Sequence, residues 1–94
     1  MLFTKKDLYF DDYLETVNKG DNPQKKAIDK LCLSKRELYE VIYFCNRFLE
    51  IYNKDKTLHN FQKVERLLRY GNLKLIRFRN KLNEAINSIW YLMS

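Results

Sequence analysis

Only two glycines and one proline interrupt these 94 residues. Hairpins and tight turns depend on both residue types, so a fold built mainly on turns is not expected. Two isolated glycines also leave no glycine-rich loop to cradle a phosphate. The single histidine, His59, lies in a polar segment with no Cys or carboxylate at ligand spacing, so no metal centre and no cofactor is expected. Cys32 and Cys45 form no Cys-x-x-Cys pair and read as structural free thiols. No nucleophile sits beside a candidate base, and an enzyme is not expected. No apolar run approaches the roughly 18 residues of a membrane-spanning helix. Residues 1–12 carry Lys5, Lys6, Asp7, Asp11 and Asp12, unlike the apolar centre of a secretory signal. The expectation is a cytoplasmic protein without integral membrane contact.

What is present suits a helical core. Hydrophobic residues make up 46% of the chain and aromatics 15%, with seven Tyr and six Phe. That is ample for one domain over residues 1–94 and too little for two. The spacing predicts an all-α antiparallel bundle of four to five helices. A first helix is predicted from Thr4 to Gly20, with Thr4 and Asp7 as capping box and Phe3 and Leu8 as hydrophobic staple. Tyr9, Phe10, Tyr13, Leu14 and Val17 would share its apolar face, and Asp7, Asp11, Asp12 and Glu15 the opposite one. Asn22-Pro23 would open a short helix running to Leu33. Ser34 and Glu37 form a second capping-box pattern ahead of a long central helix. Its stripe is Leu38, Val41, Ile42, Cys45, Phe48, Leu49 and Tyr52, with Phe44 and Ile51 on a separate patch. Thr57 would start a helix with Phe61, Val64, Leu67 and Leu68 inward. Gly71 would end it and Asn72 would cap the last helix at once, burying Leu75, Phe78, Leu82, Ala85, Ile86, Ile89 and Met93.

Charge is unevenly placed. Residues 1–56 hold 11 basic and 10 acidic side chains, whereas residues 57–94 hold seven basic and only two acidic, Glu65 and Glu84. Such asymmetry points to a polyanion or to an acidic protein surface as partner. Lys74, Arg77 and Lys81 would share one flank of the last helix. Lys63, Arg66 and Arg69 would lie on the outer face of the helix before it, with Tyr70 among them. Clustered cations with an aromatic neighbour are what phosphate-backbone binding requires, and these seven residues form the candidate nucleic-acid surface. An ordinary solvated face is the competing reading. Arg79 falls inside the apolar stripe and calls for a carboxylate partner, which the first helix would supply, unless its head reaches the rim. The acidic row Asp7, Asp11, Glu15 reads as solvated rather than as a metal site. A helix-turn-helix over residues 23–43 fits poorly, because the turn has no glycine and the second helix is too apolar.

Phe44, Ile51, Trp90 and Leu92 are the candidate interface residues, and a homodimer through the central and last helices would cover them. The aromatic Ile89–Met93 stretch beside basic residues also fits contact with a membrane surface. The leading expectation is therefore a small basic nucleic-acid-binding regulator. A protein-binding regulator or inhibitor of phage, plasmid or immunity type, acting through an aromatic helical surface, is the alternative. In size and helical class the chain is similar to bacteriocin immunity proteins, a similarity that rests on no motif. Abundant Lys, Asn, Ile, Phe and Tyr fit AT-rich coding, as in a low-GC bacterium or its phages.

Overall fold

A computed structural model describes residues 3–15 and 32–92. The described residues are mostly helical, with three α-helices and no strand. In chain order come a 3-10 turn at Lys5–Asp7, α1 at Leu38–Ile51, α2 at Leu58–Leu67, a 3-10 segment at Gly71–Leu75 and α3 at Arg79–Ile89. Three α-helices among the described residues do not confirm the predicted count of four to five.

The central helix α1 follows its stripe. Leu38, Val41, Ile42, Cys45, Phe48 and Leu49 are all buried. Phe44 is also buried, at 3% exposure, so the helix is apolar on both sides because it is the centre of the core. Its C-terminus closes as a Schellman motif. Asn53 takes the left-handed φ of 53°. The Lys54 N–H then reaches back to the Leu49 carbonyl at 2.9 Å, and the Asn53 N–H to Glu50 at 3.3 Å. Asn tolerates this conformation better than most residues. The predicted start differs. Glu37, not Ser34, is the N-cap residue, and it makes no side-chain capping bond. Glu40 instead reaches back, accepting from the Ser34 N–H at 3.2 Å.

The helix α2 begins where predicted. The Thr57 hydroxyl accepts from the Asn60 N–H at 3.1 Å, and Phe61, Val64, Leu67 and Leu68 face the core. Gly71 does adopt a positive φ, 48°. The last helix does not follow at once, however. Between Gly71 and Arg79 the chain makes a 3-10 segment and then an extended stretch, because the Arg77 carbonyl is taken by the Leu33 N–H at 2.8 Å. This pairing sets Cys32 and Phe78 opposite each other as an isolated antiparallel bridge. Leu75 and Phe78, expected inside, are consequently exposed, while Leu82 and Ile86 are fully buried. Met93 lies outside the described residues.

The first predicted helix is replaced, over its described part, by a strap lying across α1 and α2. Asp7 does meet Thr4, accepting its N–H at 2.9 Å, but only a 3-10 turn results. The Tyr9 and Phe10 N–H groups donate to Glu65 and the Leu14 N–H donates to Arg36, so none is left for a helical ladder. The rest of that helix, with Val17 and Gly20, and the short helix from Asn22-Pro23 fall on residues 16–31, outside the described residues. Phe3 stacks on Phe61 with centroids 4.8 Å apart. Asn46 grips the Phe3 backbone from both sides, accepting from its N–H and donating to its carbonyl at 3.0 Å each.

Candidate nucleic-acid interface

The seven cations and aromatics named from the sequence do not share one surface. Lys63 turns inward: its ammonium donates to the Trp90 carbonyl at 2.7 Å and lies 4.1 Å from the Trp90 ring centroid. Burial, and then the charge of Lys54, lower its pKa. Arg69 is likewise engaged. Its guanidinium makes a two-pronged bond to the Asp12 carboxylate, at 2.6 and 3.0 Å, and sits 3.8 Å from the Phe10 ring centroid. That bond raises the Arg69 pKa and holds Asp12 below the usual carboxylate range. Arg66 is exposed, 5.4 Å from the Tyr9 ring. Of Lys63 and Arg66 on α2 and Arg69 in the turn after it, two therefore act as struts.

The other three separate by backbone state. Lys74 belongs to the 3-10 segment, Arg77 to the extended stretch, and Lys81 to the first turns of α3, so the predicted flank on one helix does not exist. Lys74 and Arg77 nevertheless meet other cations. Because Leu33 pairs with Arg77, residues 32–36 run alongside 74–77. Between the two lies a cleft of about 530 Å³, lined by Cys32, Leu33, Ser34, Lys35, Arg36, Lys74 and Arg77. Four lining residues are basic, and no carboxylate is found among the described residues that line it. A neighbouring hollow of about 350 Å³ shares Lys35, Arg36 and Lys74 and adds Leu68, Arg69 and Asp12. Its one carboxylate is already bound to Arg69.

Lys35 ties the two walls together, donating from its ammonium to the Leu73 carbonyl. Burial lowers its pKa, so an anion entering the cleft would compensate a cation that has lost part of its hydration. Lys35 and Arg36 were absent from the sequence-derived set. Their Ser-Lys-Arg run sits in a half of the chain whose charges nearly balance, and only the non-local pairing places them beside Lys74 and Arg77. A larger hollow of about 600 Å³ contains Lys5, Lys6, Asp11 and Glu15. Its mixed signs give no preference for an anion.

Three other expectations change. Arg79 does have a carboxylate partner, but it is Glu40 of α1 at 3.4 Å, with both side chains largely buried, and not a residue of the N-terminal segment. The acidic residues are solvated as expected, Asp11, Asp12 and Glu15 being exposed, but they share no helix face: Asp7 binds Thr4, Asp12 binds Arg69 and Glu15 pairs with Lys5. The apolar interface set also divides. Phe44 and Trp90 are core residues of this chain, Trp90 at 4% exposure against Phe48, which leaves them no surface to offer a second copy; Ile51 and Leu92 are exposed.

Glu65, one of the two acids in the basic half, carries no local signal of its role in the sequence, yet it is completely buried. Its carboxylate accepts from the Tyr9 N–H at 2.7 Å, the Phe10 N–H at 3.1 Å and the Tyr13 hydroxyl at 2.5 Å. Burial, and then this bond, push the Tyr13 phenol far up. Among the described residues no group of His, Cys, Asp or Glu could hold a metal ion, and no helix is long and apolar enough to cross a membrane. Both cysteines are free thiols, Cys32 exposed and Cys45 buried. No protein-family model, curated protein or solved structure matches this chain.

Proposed function

We propose that this is a small, non-enzymatic nucleic-acid-binding protein that meets phosphates through the cleft of Lys35, Arg36, Lys74 and Arg77. One observation carries the reading: four cations from two chain segments converge on one concavity with no opposing carboxylate among its described lining. Phosphate contacts supply most sequence-independent affinity, and they need positive charge that is clustered and not already paired. Arg69 is ion-paired to Asp12 and Lys63 is turned onto Trp90, outside the cleft lining; Lys74 and Arg77 make no ion pair among the described residues, and Lys35 donates only to the neutral Leu73 carbonyl.

Fluorescence anisotropy of a labelled mixed-sequence oligonucleotide, titrated at several salt concentrations, tests the proposal. Four phosphate contacts predict a slope of log affinity against log salt of about −3. Lys74→Glu with Arg77→Glu should remove most of the binding and reduce the slope by about 1.5, half of its value. Lys63→Gln should leave the slope unchanged. Equal binding by the wild type and the double variant would overturn the reading. A protein-binding regulator is the second reading, favoured by the exposure of Ile51, Tyr91 and Leu92.

A further inference from the structure

We infer that the cleft takes single-stranded rather than duplex nucleic acid, an inference that rests on the nucleic-acid reading above. A duplex is read by an element that enters its groove, most often a helix carrying polar and basic side chains on a free face. None of the three α-helices among the described residues offers one. The exposed residues of α1 near its end are Arg47, Glu50 and Ile51, and Arg47 is bound to Glu50 at 3.0 Å. On α2 the exposed side chains are Leu58, His59 and Arg66, a single cation. On α3 the exposed side chains are Asn80, Lys81, Glu84 and Ser88, again a single cation, and one offset by an acid. The clustered cations sit instead outside the α-helices, on segments 32–36 and 74–77, inside a concavity, where a flexible strand can follow them and a rigid cylinder meets only the rim.

Two exposed rings that adjoin lining residues, one by backbone pairing and one in sequence, supply the other half of a single-strand site. Phe78, 57% exposed, is paired through its backbone with Cys32, which lines the cleft. Tyr70, 53% exposed, directly follows Arg69 of the adjoining hollow and opens the segment that carries Lys74. Large apolar rings left in water beside cations are costly unless something covers them. Unpaired bases stack on such rings whatever their sequence, while the cations track the backbone. In a duplex the base faces are already stacked on one another and give these rings nothing to bind. The tertiary pairing that builds the cleft also turns Phe78 outward, so cations and ring arise from the same backbone event.

The test compares a labelled oligonucleotide of about 12 nucleotides, a length typical of such sites, with its duplex, both at low salt. DNA and RNA single strands are both included. The single strand should bind about tenfold more tightly than the duplex, the effect of one stacked base. Phe78→Ala should lower single-strand affinity about tenfold and leave the salt slope unchanged, because the slope counts phosphates and not rings. Tyr70→Ala provides a second variant on a different segment, and circular dichroism verifies that both are folded. Duplex binding as tight as single-strand binding would overturn this inference and leave the nucleic-acid reading standing. So would unchanged single-strand affinity in both folded ring variants. Absence of binding to either form at low salt would overturn both.

Discussion

Replacing Glu65 by glutamine isolates the contact that holds the N-terminal segment on the helices. The carboxylate offers acceptors only, and the Tyr9 N–H, the Phe10 N–H and the Tyr13 hydroxyl all donate to it. An amide turns one acceptor into a donor, so at least one of these groups faces an NH2 and loses its partner. An unsatisfied buried donor costs about 1–3 kcal/mol, and the bonds that survive fall from the strength of charged acceptors, about 1.5–3 kcal/mol, towards that of neutral ones. Relief from burying a charge offsets part of this. The net expectation is a loss of about 2–3 kcal/mol, with a ceiling. Once the loss equals the free energy that docks the segment, residues 3–15 detach and the helices stay folded. Two readouts separate these regimes. Urea unfolding followed by Trp90 fluorescence reports the core, since that ring is buried against Phe48 with centroids 5.3 Å apart. Amide exchange at Tyr9 and Phe10 reports the segment. Exchange protection there should collapse in Glu65→Gln, and the Trp90 midpoint should move by a smaller equivalent. Glu84→Gln, on the solvent face of α3, should change neither. Stability within about 0.5 kcal/mol of wild type, with both amides still protected, would refute the account.

Three further outcomes follow from the geometry. Thr57→Ala should cost about 1 kcal/mol by removing the acceptor for the Asn60 N–H, whereas Ser34→Ala should cost less than about 0.5 kcal/mol because α1 does not start there; equal losses in chemical denaturation would contradict the observed helix start. A thiol reagent should modify one cysteine per native chain, Cys32, and reach Cys45 only on unfolding, since burial pushes that thiol up and removes it from solvent; two fast equivalents would refute this. Arg69 holds the Asp12 pKa below its ordinary value, so the pair's contribution is complete above about pH 4 and is lost as pH falls through the depressed value. An acid titration of Asp12→Asn should therefore lack that part of the acid limb, and an identical limb in both proteins would refute the linkage.

What the sequence determined by itself is whatever depends on neighbours three or four residues apart. The stripe from Leu38 to Leu49, the Thr57 cap, the inward set Phe61, Val64, Leu67 and Leu68, and the positive φ at Gly71 are local matters of helical period and backbone sterics, and they appear in the fold as the spacing implies. Tertiary structure decided wherever a backbone N–H or carbonyl had a better partner far along the chain. Residues 8–15 carry a helical pattern, yet Glu65, more than 50 positions away, takes the Tyr9 and Phe10 N–H groups, and the pattern loses to a buried charge that must be satisfied. Arg77 gives its carbonyl to Leu33, so the last helix begins at Arg79, Phe78 turns to solvent, and Lys35 and Arg36 come to face Lys74 and Arg77. The positive charge of residues 57–94 was plain from composition. Which cations are struts and which have no ion pair among the described residues was not, because Lys63 and Arg69 differ from Lys74 and Arg77 only in what the rest of the chain places beside them.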